Sequence, residues 1–129
     1  GDMCTPHGTF GLGPVFYRSD RVKIKTKLKK IEIKKGMAWC DNPKSKYYNK
    51  LIFTKKSKET LMRKDHLYDL VVFVKYNSTR VKKNKGSAIF IHVARKNYSP
   101  TKGCVALNVK NLKNLLNKIN LKTKIKITF

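Results

Sequence analysis

A histidine and a cysteine are the two residues of this sequence whose types and spacing suit covalent chemistry. Residues 86–107, GSAIFIHVARKNYSPTKGCVAL, read as an apolar strand carrying His92, a polar loop, and then Cys104 behind a glycine. The pair is too far apart for neighbouring turns of one helix, but a strand and its return loop can bring the two together. Cysteine with histidine is the minimum apparatus of thiolate acyl transfer: the imidazole takes the thiol proton and the sulfur attacks a carbonyl carbon. Gly103 lets the backbone turn sharply before the nucleophile, which makes the N–H groups of Gly103 and Cys104 candidate oxyanion donors. Lys102 adds positive potential that favours the thiolate. The plainer reading of His92 is a packing residue that ends an apolar strand face.

These residues resemble the L,D-transpeptidase catalytic domains, the YkuD-like family. Thr101-Lys102-Gly103-Cys104 is similar to the family's Ser/Thr-x-Gly-Cys, with His92 upstream at the end of a strand. Thr5-Pro6-His7-Gly8-Thr9-Phe10 is similar to its Thr-Pro-x-Gly-x-Phe segment. The spans 38–43 (AWCDNP), 67–72 (LYDLVV) and 86–90 (GSAIF) resemble one bacterial branch, and the blocks fall in the expected order along nearly the whole chain. There are departures. Lys102 stands where the family often has histidine, Ala106 where it often has arginine, and Val93 where other branches have glycine. They fit a divergent branch and bear on donor and acceptor specificity more than on the nucleophile.

The resemblance implies a peptidoglycan tetrapeptide stem as acyl donor, a thioester on Cys104, and an amine on a second stem as acceptor. With water as acceptor the same site would be an L,D-carboxypeptidase. It implies His92 steered by a backbone carbonyl, Thr101, Lys102, Arg95 and Tyr98 around the stem's carboxylates, no cofactor, and a periplasmic or cell-envelope location. In the family, strands precede the Thr-Pro segment, so residues 1–129 read as one catalytic domain and a monomer, either whole or without its N-terminal strands.

Composition allows other functions. The 129 residues hold 31 Lys plus Arg against 7 Asp plus Glu, a net charge of +24. Such a balance suits an anionic polymer, either nucleic acid or cell envelope. Yet the only arginines are Arg18, Arg21, Arg63, Arg80 and Arg95. Specific phosphate or base-edge recognition more often recruits arginine forks, so a lysine-loaded solvent surface is the reading favoured over specific nucleic-acid binding. Two non-catalytic alternatives stand beside the enzyme: a basic nucleic-acid or anionic-polymer binder, and a silent wall-binding module that keeps the fold. Cys4, Cys40 and Cys104 form no C-x-x-C pair, and zinc ligands are normally closer-set, so no metal is expected. Cys4 and Cys40 would pair in an oxidising compartment, or stand as two small buried thiols. No apolar run reaches the ~20 residues of a membrane helix.

Several elements must position the pair. Residues 1–14 are rich in glycine and proline and read as loop and turn, with a short strand at 8–12. In 22–29, Val22, Ile24, Thr26 and Leu28 alternate with lysines, the period of a half-buried strand. Ile31 and Ile33 then change the phase, so a turn or bulge belongs near Lys29 and Lys30. Residues 36–48, GMAWCDNPKSKYY, read either as a packed loop anchored by Trp39 or as a wall of the substrate cleft. In the second reading Asp41 fixes the loop or holds a substrate amine. Residues 57–65 suit a short helix with Ser57 as N-cap and Leu61 inward. Residues 67–76 place Leu70, Val72 and Val74 on one face and Val71 and Phe73 on the other, as in a central strand. Alternation over 86–94 puts Phe90 and His92 on a common face. Asn108 caps a helix facing inward with Val109, Leu112, Leu115, Leu116 and Ile119, and 122–129 alternate as a closing strand. This is a mainly β chain, a sandwich or barrel with one or two packed helices and no alternating strand–helix series.

Overall fold

The computed structural model describes residues 8–40, 44–53, 60–75, 90–94 and 105–127. In chain order they form β1 (Gly8–Tyr17), β2 (Lys30–Glu32), β3 (Met37–Trp39), β4 (Leu51–Phe53), β5 (Leu70–Val74), β6 (Phe90–Val93), β7 (Val105–Leu107), α1 (Val109–Lys118) and β8 (Lys124–Ile127). Apolar side chains on both faces make β5 the centre, and all of its residues are buried. It pairs antiparallel with β1 on one side and β6 on the other. The sheet runs β2-β1-β5-β6-β7, and β8 joins the first half of β1.

The two faces of β5 divide the core as its alternation predicts. Leu70, Val72 and Val74 share one cluster with Leu12, Val15, Ile91 and Val93, closed by Leu112, Leu116 and Ile119 from the α1 region. Val71 and Phe73 share the other with Phe16 and Phe90, closed by Met37, Trp39, Leu61, Leu67 and Tyr68. One face of the sheet therefore carries the helix, and the other carries the antiparallel β3–β4 pair and residues 61–68. The architecture is mainly β, mixed in strand direction. Asn108 caps α1: its Oδ1 accepts from the Asn111 N–H at 3.1 Å. Of the expected inward face, Leu112 and Leu116 are fully buried, whereas Val109 is 39% exposed.

Four expectations change. First, β1 runs unbroken to Tyr17 through Gly13 and Pro14, where loop was expected at those two residues. The register shifts between Leu12, opposite Val74, and Val15, opposite Val72, so one extra residue bulges there. Gly13 takes φ +99, and Pro14, with no N–H to offer a ladder, sits where none is needed. The bulge also resets parity, so that Phe10, Leu12, Val15 and Tyr17 all meet the same cluster.

Second, residues 22–29 belong to no strand. Their burial still alternates as predicted, with Leu28 buried and Ile24 packed on the helix-side core. Period two reports an extended backbone over an apolar surface, not a ladder partner. The phase change is real: Ile31 and Ile33 face the other cluster, and the chain bends at Lys27 and Leu28 before β2 pairs in parallel with β1. Third, Met37–Trp39 inside the expected 36–48 loop is a strand, paired with Leu51–Phe53. Fourth, 60–65 are not helical; Ala38 and Thr60 form an isolated bridge, and Leu61 is nonetheless fully buried. Ser57 lies outside the described residues.

Candidate active site

β6 is buried along its length, which its apolar sequence requires, and carries His92 between β5 and β7. The ladder places His92 opposite Val71 on one side and Ala106 on the other. The imidazole is 1% exposed and lies edge-on to the Tyr68 ring at 5.7 Å, on the face that Phe90 also occupies. The Val93 carbonyl lies 2.9 Å from its Nδ1. A carbonyl only accepts, so Nδ1 carries the hydrogen, and in the neutral ring Nε2 carries the lone pair. That is the tautomer a general base needs.

The end of β6 is held from both sides. Val93 N–H donates to the Leu67 carbonyl at 3.1 Å, and Ala94 N–H to the Leu107 carbonyl at 2.7 Å. Residues 63–69 are in turn bound to the loop after β1 by two guanidinium groups. Arg18 Nη1 donates to the Arg63 carbonyl at 2.8 Å. Arg21 Nη2 reaches the Lys64 carbonyl at 3.1 Å, and its Nη1 reaches the Asp65 carbonyl at 2.7 Å and Asp69 Oδ1 at 2.8 Å. Asp69 Oδ2 meets His66 Nδ1 at 2.7 Å. The Arg63 guanidinium lies over the Tyr68 ring, 5.3 Å from its centroid. An arginine network thus fixes the segment that presents Tyr68 to His92.

Arg18 also grips Asp20 through Nε and Nη2, at 2.8 and 2.7 Å. This hydrogen-bonded guanidinium holds the Asp20 carboxyl below its ordinary value. The sign follows from linkage: a depressed folded pKa stabilises the fold above the unfolded value of about 3.9, and the contribution is lost as pH falls through the folded value. Asp20→Asn should therefore melt below wild type at neutral pH, with the two melting temperatures converging in acid. Thermal melts across a pH series check this; a gap that persists in acid would give Asp20 a role independent of its charge. The carboxylate is largely solvent-exposed, so the gap should be small.

Trp39 is 5% exposed, donates its indole N–H to Asn49 Oδ1 at 2.8 Å, and packs against Phe16, Phe73 and Phe90. These surroundings describe an anchor. Cys40 is a buried free thiol. Cys104, Gly103, Lys102, Thr101, Arg95, Tyr98, Asp41 and Cys4 lie outside the described residues. The residue that follows Cys104 in the chain, Val105, is the ladder partner of Ile91, one position before His92. Sequence reasoning gave no role to Tyr68 or to the Arg18–Arg21 network. The signal for Tyr68 was its place in the 67–72 block, and for the arginines their scarcity.

A histidine held in this tautomer on a sheet strand has the form that acid–base chemistry can use. The family model of the L,D-transpeptidase catalytic domain (YkuD) matches residues 1–127, and the chain belongs to that family. No curated protein and no solved structure matches the chain. No helix among the described residues is long and apolar enough to cross a membrane.

Proposed function

We propose that this chain is a cysteine-dependent L,D-transpeptidase acting on peptidoglycan stem peptides. Family membership supports the reaction class. The observation that carries the mechanism is the Nδ1–H of His92 donating to the Val93 carbonyl, which leaves Nε2 as the base. In this mechanism Nε2 takes the Cys104 thiol proton, and the sulfur bonds to the carbonyl carbon of the L centre of the stem's diamino acid. The bond from that carbon to the terminal D-residue's nitrogen breaks, and the imidazolium returns the proton to the leaving amine. An amine on a second stem then attacks the thioester, forming the cross-link and releasing the thiol. The N–H groups of Gly103 and Cys104 receive the oxyanion in both halves. Lys102 raises the local potential, while Thr101, Arg95, Tyr98 and Asp41 are the candidates for holding the stem's charged groups. The chain works as one domain and as a monomer at the cell envelope.

The test is site-resolved alkylation of Cys104 against pH, followed by peptide mapping in wild type and His92→Gln. Wild type should show a thiolate pKa well below the ~8.5 of free cysteine, and the variant should return towards it. A Cys104 that titrates as an ordinary thiol in both proteins would sink the activated pair.

A further inference from the structure

Two segments on one side of this protein carry lysine and no acid. Residues 22–29, VKIKTKLK, and 109–127, VKNLKNLLNKINLKTKIKI, contain lysine as their only charged residue. Both segments pack on the same core, the second ending in the sheet strand β8: Ile24, Leu28, Leu112, Leu116 and Ile125 all reach the helix-side cluster. Their lysines consequently point away from that core, and nearly all are exposed. Asp20, Asp65 and Asp69 instead take part in the arginine network next to the other face.

Between the two lysine segments lies a groove of about 690 Å³, lined by Arg21, Val22 and Lys23 on one wall and by the Val109–Asn117 side of α1 on the other. Arg21 is already committed to Asp69 and two carbonyls. Lys23, Lys110 and Lys113 supply the groove's remaining charge, and Asn114 and Asn117 add amide donors on successive turns of the helix. Among the described residues the lining contains no acid and no aromatic.

We propose that this groove binds a linear phosphodiester polymer of the cell envelope, independently of the chemistry at Cys104. Ammonium groups act as point charges, which suit a repeating phosphate and need no fixed fork. Beyond the groove, lysines on an extended segment recur on one side about every 6.6 Å, which continues the track for a chain of regularly spaced phosphates. Single-stranded nucleic acid is disfavoured by the described lining, which offers no aromatic ring for bases to stack on and whose arginine is committed to Asp69 and two carbonyls. Enrichment of lysine by genome composition would load all surfaces alike; a groove whose described lining holds no acid, beside an arginine network that gathers Asp20, Asp65 and Asp69, is a more specific arrangement.

The experiment is binding of a synthetic poly(glycerol phosphate) chain, measured by fluorescence anisotropy across a salt series. The groove variant is Lys23→Gln/Lys110→Gln/Lys113→Gln. The control is Lys34→Gln/Lys35→Gln/Lys50→Gln, exposed lysines elsewhere with the same charge loss. The groove variant should bind at least about tenfold more weakly at physiological salt and flatten the salt slope by about 2, while the control stays close to wild type. Equal losses in the two variants would overturn the site and leave only diffuse charge. Tighter binding to single-stranded DNA of equal phosphate number, or to vesicles of anionic lipid, would overturn the assignment to a wall polymer.

Discussion

Cys104→Ala is expected to lower turnover of a tetrapeptide-stem donor by about 10⁴-fold or more, because the acyl group then has no sulfur to occupy. His92→Gln should fall by a comparable factor, with the double variant scarcely worse than either single one. Residues that act as one unit in a single proton and acyl transfer are not additive. The measurement is muropeptide turnover with an amine acceptor, resolved by mass so that cross-linked and hydrolysed products are counted separately. Retained turnover in Cys104→Ala would refute the nucleophile. Losses that multiply in the double variant would show that the two residues work apart, with His92 serving the fold. Circular dichroism of His92→Gln guards that distinction, since the side chain is buried against Tyr68.

Trp39→Ala should be the most destabilising simple truncation, at about 3–5 kcal/mol, typical for removing a buried large aromatic. The indole fills the space between Phe16, Phe73 and Phe90 and supplies a hydrogen bond to buried Asn49. Urea unfolding followed by circular dichroism measures the loss, and Trp39→Phe should recover part of it. The competing reading, Trp39 as a wall of the substrate cleft, predicts the reverse: a raised KM with stability nearly unchanged. One pair of variants therefore decides between anchor and cleft wall.

Much of the fold was legible where a single physical cause acts. The two apolar faces of β5 named the central strand, the Asn108 cap and the Leu112/Leu116 spacing named the helix, and the parity change before Ile31 named the switch of core. Failures came where pairing, a property of the whole fold, overrides local pattern. Residues 22–29 have the burial rhythm of a strand without a partner, while Gly13 and Pro14 sit inside a strand because a bulge accommodates them. The three-residue strands β3 and β4 are too short to show a period. For the site, a resemblance of motif singled out His92 and Cys104. The carbonyl that fixes the imidazole belongs to the next residue in the chain, and the resemblance implied such a carbonyl without naming it. The arginines that hold the Tyr68 segment follow from contacts between distant segments, which no local spacing encodes.

The double pairing of β1 has a kinetic side. Among the described residues, 8–11 pair with β8, Gly8 opposite Ile127, whereas 12–17 pair with β5 and, from Val15 on, with β2. Closing so long a loop costs chain entropy before any contact rewards it, which places assembly in the slow, millisecond-to-second range of non-local β topologies. During synthesis, the 8–11 edge waits without this partner until residues 124–127 emerge. Until then it is an open strand edge, the kind of surface that invites pairing with another chain.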